Sequence, residues 1–196
     1  MHQTIDAKLK AAHHRSPVMI YLAPRLMRFP GMIQKYDEPF LPFSRVIISA
    51  TQDIVGGYVF DLAAFLTLGA AGAIALERAS AFVPSEVVKI LHGPFATPDY
   101  ANVAFESPFA FDAVTITHPD LLPAYTDERE HAAFVVRYDL PQPQPFEVFW
   151  INKGVITTAE ANDMRFQVTP EHILYAEQGE DFAERLRESI LELRDA

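Results

Sequence analysis

The chain has 196 residues, 49% of them hydrophobic and 21% charged, with a formal net charge of -10. That length fits one domain over residues 1–196, able to bury roughly 70% of the surface its unfolded form exposes, and the composition excludes a disordered chain. The absence of cysteine excludes a disulfide framework, thiolate zinc and a cysteine nucleophile and suits a reducing cytoplasm, while the acidic balance argues against nucleic acid or an anionic membrane as partner.

Residues 4–12 carry Ile5, Leu9 and Ala12 at helical spacing, and the charges among them do not fit a signal peptide. Residues 18–24 form a short apolar run between Pro17 and Pro24 and read as a buried strand; 25–42 read as a proline-punctuated loop. Residues 44–54 are amphipathic at helical spacing, and 55–61 read as a strand. A helix is expected over 62–78, with a soft point at Gly69 and Gly72; its apolar stretch, bounded by Asp61 and Glu77, is too short to cross a membrane. The next strand is 87–92, ending at Gly93-Pro94, followed by a helix within 98–109 that Pro108 cuts short. Residues 112–118, 132–137 and 146–151 read as strands, and 157–163 as one or two helical turns. Whether 164–168 is a strand decides between seven and eight. Gly179 opens the final helix, with Glu180 and Asp181 in its first turn and a stripe of Phe182, Leu186, Ile190 and Leu193.

Strands alternate with helices, and several strands are apolar on both faces, which specifies a parallel sheet covered by helices. The expected fold is α/β, a trimmed TIM-type (β/α) barrel of seven to eight mostly parallel strands. It is trimmed because a complete barrel takes about 250 residues. Residues 141–168 leave hardly any room for covering helices. The tract Pro141-Gln142-Pro143-Gln144-Pro145 suits a rigid connector, or an extended strand offered to a partner.

Several segments in order resemble the orotidine 5'-phosphate decarboxylases of the longer bacterial subtype. They are residues 18–25, 45–55, Leu68-Gly69-Ala70-Ala71-Gly72, Asp112-Ala113-Val114-Thr115, Ile173-Leu174-Tyr175-Ala176 and Gly179-Glu180-Asp181-Phe182. The resemblance implies a βα-barrel that dimerises with its sites at the subunit interface. It also implies an alternating array of two lysines and two aspartates, in which an ammonium stabilises and protonates the carbanion left by decarboxylation. The residues that match that array and the phosphate-binding groups are of other types. Val59 stands where a family lysine lies, Ala23 where the first strand ends in aspartate, and Ile90-Leu91-His92-Gly93-Pro94 where the remaining array lies. Residues 153–159 and Glu171-His172 stand where a glycine-rich loop and an Arg-Gly pair grip phosphate, and Glu171 is expected to repel a dianion. The chain has five lysines: Lys8, Lys10, Lys35, Lys89 and Lys153. Only Lys153 falls just past a strand's C-terminal end, where barrel chemistry takes place.

The other polar residues at those ends are Asp61, His92, His118 and Arg137 with Asp139. Two histidines and an aspartate could ligate a divalent ion, yet a histidine beside Gly or Pro can simply satisfy loop groups; neither metal nor cofactor is expected. Asp61 and His92 could form an acid–base pair, or Asp61 could bond loop amides. Arg137 and Lys153 could hold a small anion or pair with the surplus acids. Phe60, Phe95 and Phe109 would close this space if they turned inward.

The expectation is a non-catalytic decarboxylase relative with a structural or regulatory role, forming a homodimer or a heteromer with an active homologue. The alternative is an enzyme of altered chemistry that uses Asp61, His92, His118, Arg137 and Lys153 on a non-phosphorylated small molecule. The resemblance taken alone implies a decarboxylase of pyrimidine biosynthesis.

Overall fold

The computed structural model describes residues 4–106, 108–126, 130–138 and 146–195. Eight strands close into one barrel in sequence order: β1 (Val18–Leu22), β2 (Gly57–Asp61), β3 (Val88–Phe95), β4 (Ala113–Ile116), β5 (Ala132–Tyr138), β6 (Val148–Asn152), β7 (Val155–Ala161) and β8 (Met164–Val168). Strands β1 to β6 run parallel and β8 closes on β1 in parallel. Only β7 runs against both its neighbours. The helices are α1 (Ile5–Arg15), α2 (Phe40–Thr51), α3 (Leu62–Leu66), α4 (Gly69–Phe82), α5 (Tyr100–Phe105), α6 (Leu122–Tyr125) and α7 (Phe182–Asp195). The trimmed, mostly parallel barrel is the architecture observed, with the higher strand count. The proline tract 141–145 and Asp139 lie outside the described residues.

Strand direction follows the burial pattern. All five residues of β2 are buried, as a parallel strand covered on both faces requires. In β8 Met164, Phe166 and Val168 are buried while Arg165 and Gln167 are exposed, the alternation of a sheet with one wet face.

Residues 157–163 are therefore not helical, and most of them belong to β7. Lys153 and Gly154 have φ of 50° and 78°, and they connect Asn152 to its pairing partner Val155. Positive φ at both central residues makes the tight turn whose twist matches a hairpin, so β6 reverses directly into β7. Thr157 is the extra residue of a bulge between the Trp150–Thr158 and Ile151–Ile156 pairs. Asn162, with φ of 54°, starts the return turn that pairs Ala161 with Met164.

The helix expected over 62–78 divides into α3 and α4 at Gly69, whose φ of 61° breaks the helical run. Helix α2 begins earlier than its apolar period, because Pro42 sits in its first turn, where no hydrogen bond is lost. Helix α6 has the same device in Pro123.

Two apolar layers result. Met19, Val59, Ile90, Phe134, Phe149 and Phe166 fill the barrel interior, and α1 closes its base with Ile5, Leu9 and Ala12. The outer layer packs Ile20, Phe60, Leu91 and Val135 against Phe43 and Leu76 of the helices. Lys8 of α1 bonds both carboxylate oxygens of Asp112 beside β4 at 2.6 and 2.7 Å, which anchors the plug. Gly56 allows that close approach, since a Cβ there would lie 2.5 Å from the Ser16 carbonyl oxygen.

Candidate functional site at the barrel mouth

Inward-facing residues at the C-terminal ends of β1 to β4 meet in one polar layer. Asp61 and His92 are register partners in adjacent parallel strands. The Tyr21 hydroxyl donates a hydrogen bond to Asp61 Oδ2, and Asp61 Oδ1 accepts from the Ala64 N–H at 2.9 Å, capping α3. His92 Nδ1 lies 3.0 Å from Thr115 Oγ1, which also accepts from the Gly93 N–H at 3.1 Å. The His92 ring stacks on Phe149 with centroids 5.5 Å apart and meets the Tyr21 ring edge-on at 6.2 Å.

Burial sets the charges in this layer. It raises the Tyr21 phenol well above its ordinary range, and the adjacent Asp61 carboxylate adds to that effect. It lowers His92 below 6.5, against the smaller opposing pull of Asp61, so the imidazole is neutral at neutral pH. The layer is thus an ordered neutral network around one carboxylate that is 8% exposed.

The structure brings together only two of the five sequence candidates, Asp61 and His92. Both readings of Asp61 apply: it caps loop amides and it stands beside a histidine. His118 is exposed, and its Nδ1 accepts from the Asp120 N–H at 3.3 Å, which caps the short turn at Pro119–Leu121. Arg137 alternates with inward-facing Val136 and points outward over the Phe146 ring at 5.6 Å. Lys153 is exposed in the β6–β7 turn. Among the described residues neither of these cations is paired with a carboxylate, and Asp139 lies outside them. No group of three or more His, Asp or Glu side chains among the described residues is gathered as a metal site.

Phe60 and Phe95 belong to the layer outside the barrel, and Phe109 packs against that layer, so none of them plugs the mouth. Tyr21 and Phe149 take that place instead. Tyr21, Thr115 and Phe149 escaped the sequence reading because a tyrosine or threonine inside an apolar strand gives no signal of its facing. Only the alternation Met19, Tyr21 and Ala113, Thr115 could have marked them as inward.

Lysine positions are equally specific. Val59 is fully buried in the interior and Ala23 is fully buried beyond β1. Lys8 is at the base, and Lys10 and Lys35 are exposed. Lys89 alternates with inward-facing Val88 and Ile90; its ammonium lies outside the barrel, 6.0 Å from the Phe111 ring, where burial lowers its pKa.

A second feature lies at the β1–β8 seam of the mouth. Arg25 donates to Glu171 at 3.3 and 3.1 Å, and Arg28 donates to the same carboxylate at 3.0 Å. Glu171 is therefore enclosed by positive charge, and the three groups together carry one net positive charge. The carboxylate expected to repel a dianion is thus itself paired with two arginines. Away from the mouth, a cleft of about 630 Å³ opens between α1, α6 and β5 to β7, lined by Asp6, His131, Glu147, Glu160 and Asp163. Burial pushes the Glu147 carboxyl up to about 7, and Oε2 is buried with no hydrogen-bond partner among the described residues. No helix among the described residues is long and apolar enough to cross a membrane.

No protein-family model matches the chain. It is 39% identical over 115 residues to an orotidine 5'-phosphate decarboxylase of Thermomicrobium roseum, covering 56% of this chain and 40% of that protein. It is 31% identical over 112 residues to one of Herpetosiphon aurantiacus, covering 55% and 42%. The matches thus span about two fifths of the curated relatives. Among solved structures, the OMP decarboxylase of Leishmania donovani superimposes with a TM-score of 0.60 at 20% identity, covering 71% of this chain and 56% of that one. A putative orotidine 5'-phosphate decarboxylase from Streptomyces avermitilis gives 0.60 at 20% identity, covering 71% and 55%. At such identities the structures establish a shared barrel. The sequence similarity to orotidine 5'-phosphate decarboxylases extends over 56% and 55% of this chain, on that same barrel fold.

Proposed function

We propose that this chain is a non-catalytic relative of the decarboxylases, with a structural or regulatory role as a dimer of itself or with an active homologue. One observation carries the reading. The mouth layer of Tyr21, Asp61, His92 and Thr115 contains no ammonium, and the interior position matched to a family lysine is Val59. Decarboxylation through a carbanion needs a fixed positive charge where electron density builds up. A neutral imidazole does not supply it, and Asp61 is already committed to Tyr21 and the start of α3. The dimer is carried over from the family resemblance, and a cytoplasmic setting accords with the lack of cysteine.

Calorimetric titration with uridine monophosphate tests this reading. No heat of binding is expected at micromolar ligand; a micromolar Kd would contradict it.

The neighbouring Asp61 and His92 favour a second reading, an enzyme that uses neutral His92 as a base on a small uncharged substrate. Soaking crystals with small neutral metabolites tests it: a ligand within hydrogen-bonding reach of His92 supports it, and an unchanged mouth removes it.

A further inference from the structure

We infer that Arg25 and Arg28 form an oxyanion site at the barrel mouth which the chain fills with its own Glu171 carboxylate. The inference rests on the reading above, that this mouth holds no phosphorylated ligand. Two guanidinium groups from the loop after β1 converge on one carboxylate from the turn after β8, through three hydrogen bonds of 3.0 to 3.3 Å. This is the arrangement in which arginine forks hold carboxylate or phosphate groups.

The loop that carries both arginines is anchored independently of Glu171. The Tyr175 hydroxyl accepts from the Arg25 backbone N–H at 2.8 Å and donates to the Ala23 carbonyl at 2.6 Å. The Arg28 guanidinium lies over the Tyr175 ring at 4.4 Å, and Gln178 bonds the Arg28 carbonyl at 3.1 Å. Tyr175 itself is buried against Phe29 and Phe43. Removing the Glu171 carboxylate therefore leaves the loop backbone at Arg25 anchored and the Arg28 guanidinium stacked on Tyr175, with the Arg25 side chain free to close on an incoming anion. Each arginine side chain is about two fifths exposed, at 39% and 45%, so a small anion can reach the fork from solvent. Glu171 holds the place by being tethered, at an effective concentration a free anion must match.

The test is equilibrium binding of inorganic phosphate at constant ionic strength. The unaltered chain is expected to bind phosphate at least tenfold more weakly than Glu171→Ala. Adding Arg25→Ala or Arg28→Ala to that variant is expected to abolish the gain. Glu171→Gln keeps the side-chain volume, and it is expected to show a smaller gain even if Glu171→Ala folds poorly. Equal phosphate affinity in the unaltered chain and both Glu171 variants would overturn the inference, as would a gain that survives loss of both arginines. Nucleotide binding by the unaltered chain would instead sink the non-catalytic reading and leave the comparison between variants intact.

Discussion

The Tyr21 phenol and the Asp61 carboxylate form a hydrogen bond between neighbouring strands inside the barrel, and the other oxygen of that carboxylate starts α3. One buried charge is thereby satisfied from a side chain and from a helix N-terminus at once. Tyr21→Phe removes the donor and leaves Asp61 Oδ2 buried without it. The expected loss of stability is about 1–3 kcal/mol, read from urea denaturation at neutral pH. An unchanged midpoint would mean that solvent already serves Asp61.

His92 makes stability fall in mild acid. Its folded pKa lies below 6.5, so as pH drops through that value the unfolded chain takes up the proton first and the folded state loses ground. Stability from this group is complete above 6.5 and declines as pH falls toward the folded pKa. In His92→Gln that part of the decline should vanish between neutral pH and the carboxylate range. Denaturation midpoints at matched pH values decide it, and equal acid sensitivity in both proteins would contradict the assignment.

Glu147 acts with the opposite sign. Its folded pKa of about 7 stands above the ordinary 4.5, so the folded state prefers the protonated form. The contribution is present below 4.5 and lost as pH rises through about 7. Glu147→Gln keeps the shape without the charge. It is expected to stabilise the chain on the order of 2 kcal/mol in mild alkali and to change little in mild acid. Thermal unfolding at the two pH extremes checks it; a destabilised variant in alkali would show that the Glu147 charge is favourably held.

Gly56→Ala places a methyl group 2.5 Å from the Ser16 carbonyl oxygen, at the joint between the α1 plug and the strands. Backbone must move to admit it, and the expected cost is about 1–3 kcal/mol. Hydrogen exchange should show the loosening concentrated in α1; a variant as stable as the parent would mean that the joint is more yielding than its spacing.

Much of this architecture was legible in the sequence because the parallel strands are apolar throughout and prolines bound them. The base plug was legible as the spacing of Ile5, Leu9 and Ala12. The β6–β8 meander was only half legible. Lys153-Gly154 and Asn162-Asp163 carry the positive-φ turns, but polar Thr157, Thr158 and Glu160 hid a strand whose outer face is wet. Asp61 and His92 could be placed at strand ends, since a strand end is a local property. Arg25 and Arg28 converging on Glu171 could not, because that pairing spans 146 and 143 positions and exists only once β8 closes on β1.

The most direct measurement is turnover of orotidine 5'-monophosphate by the purified chain, followed as loss of substrate absorbance at high protein concentration. The account predicts a rate indistinguishable from the uncatalysed background. Turnover well above that background, abolished by Lys153→Ala or Lys89→Ala, would contradict it, because an ammonium would then be reaching the reacting carbon from a position where the fold holds none.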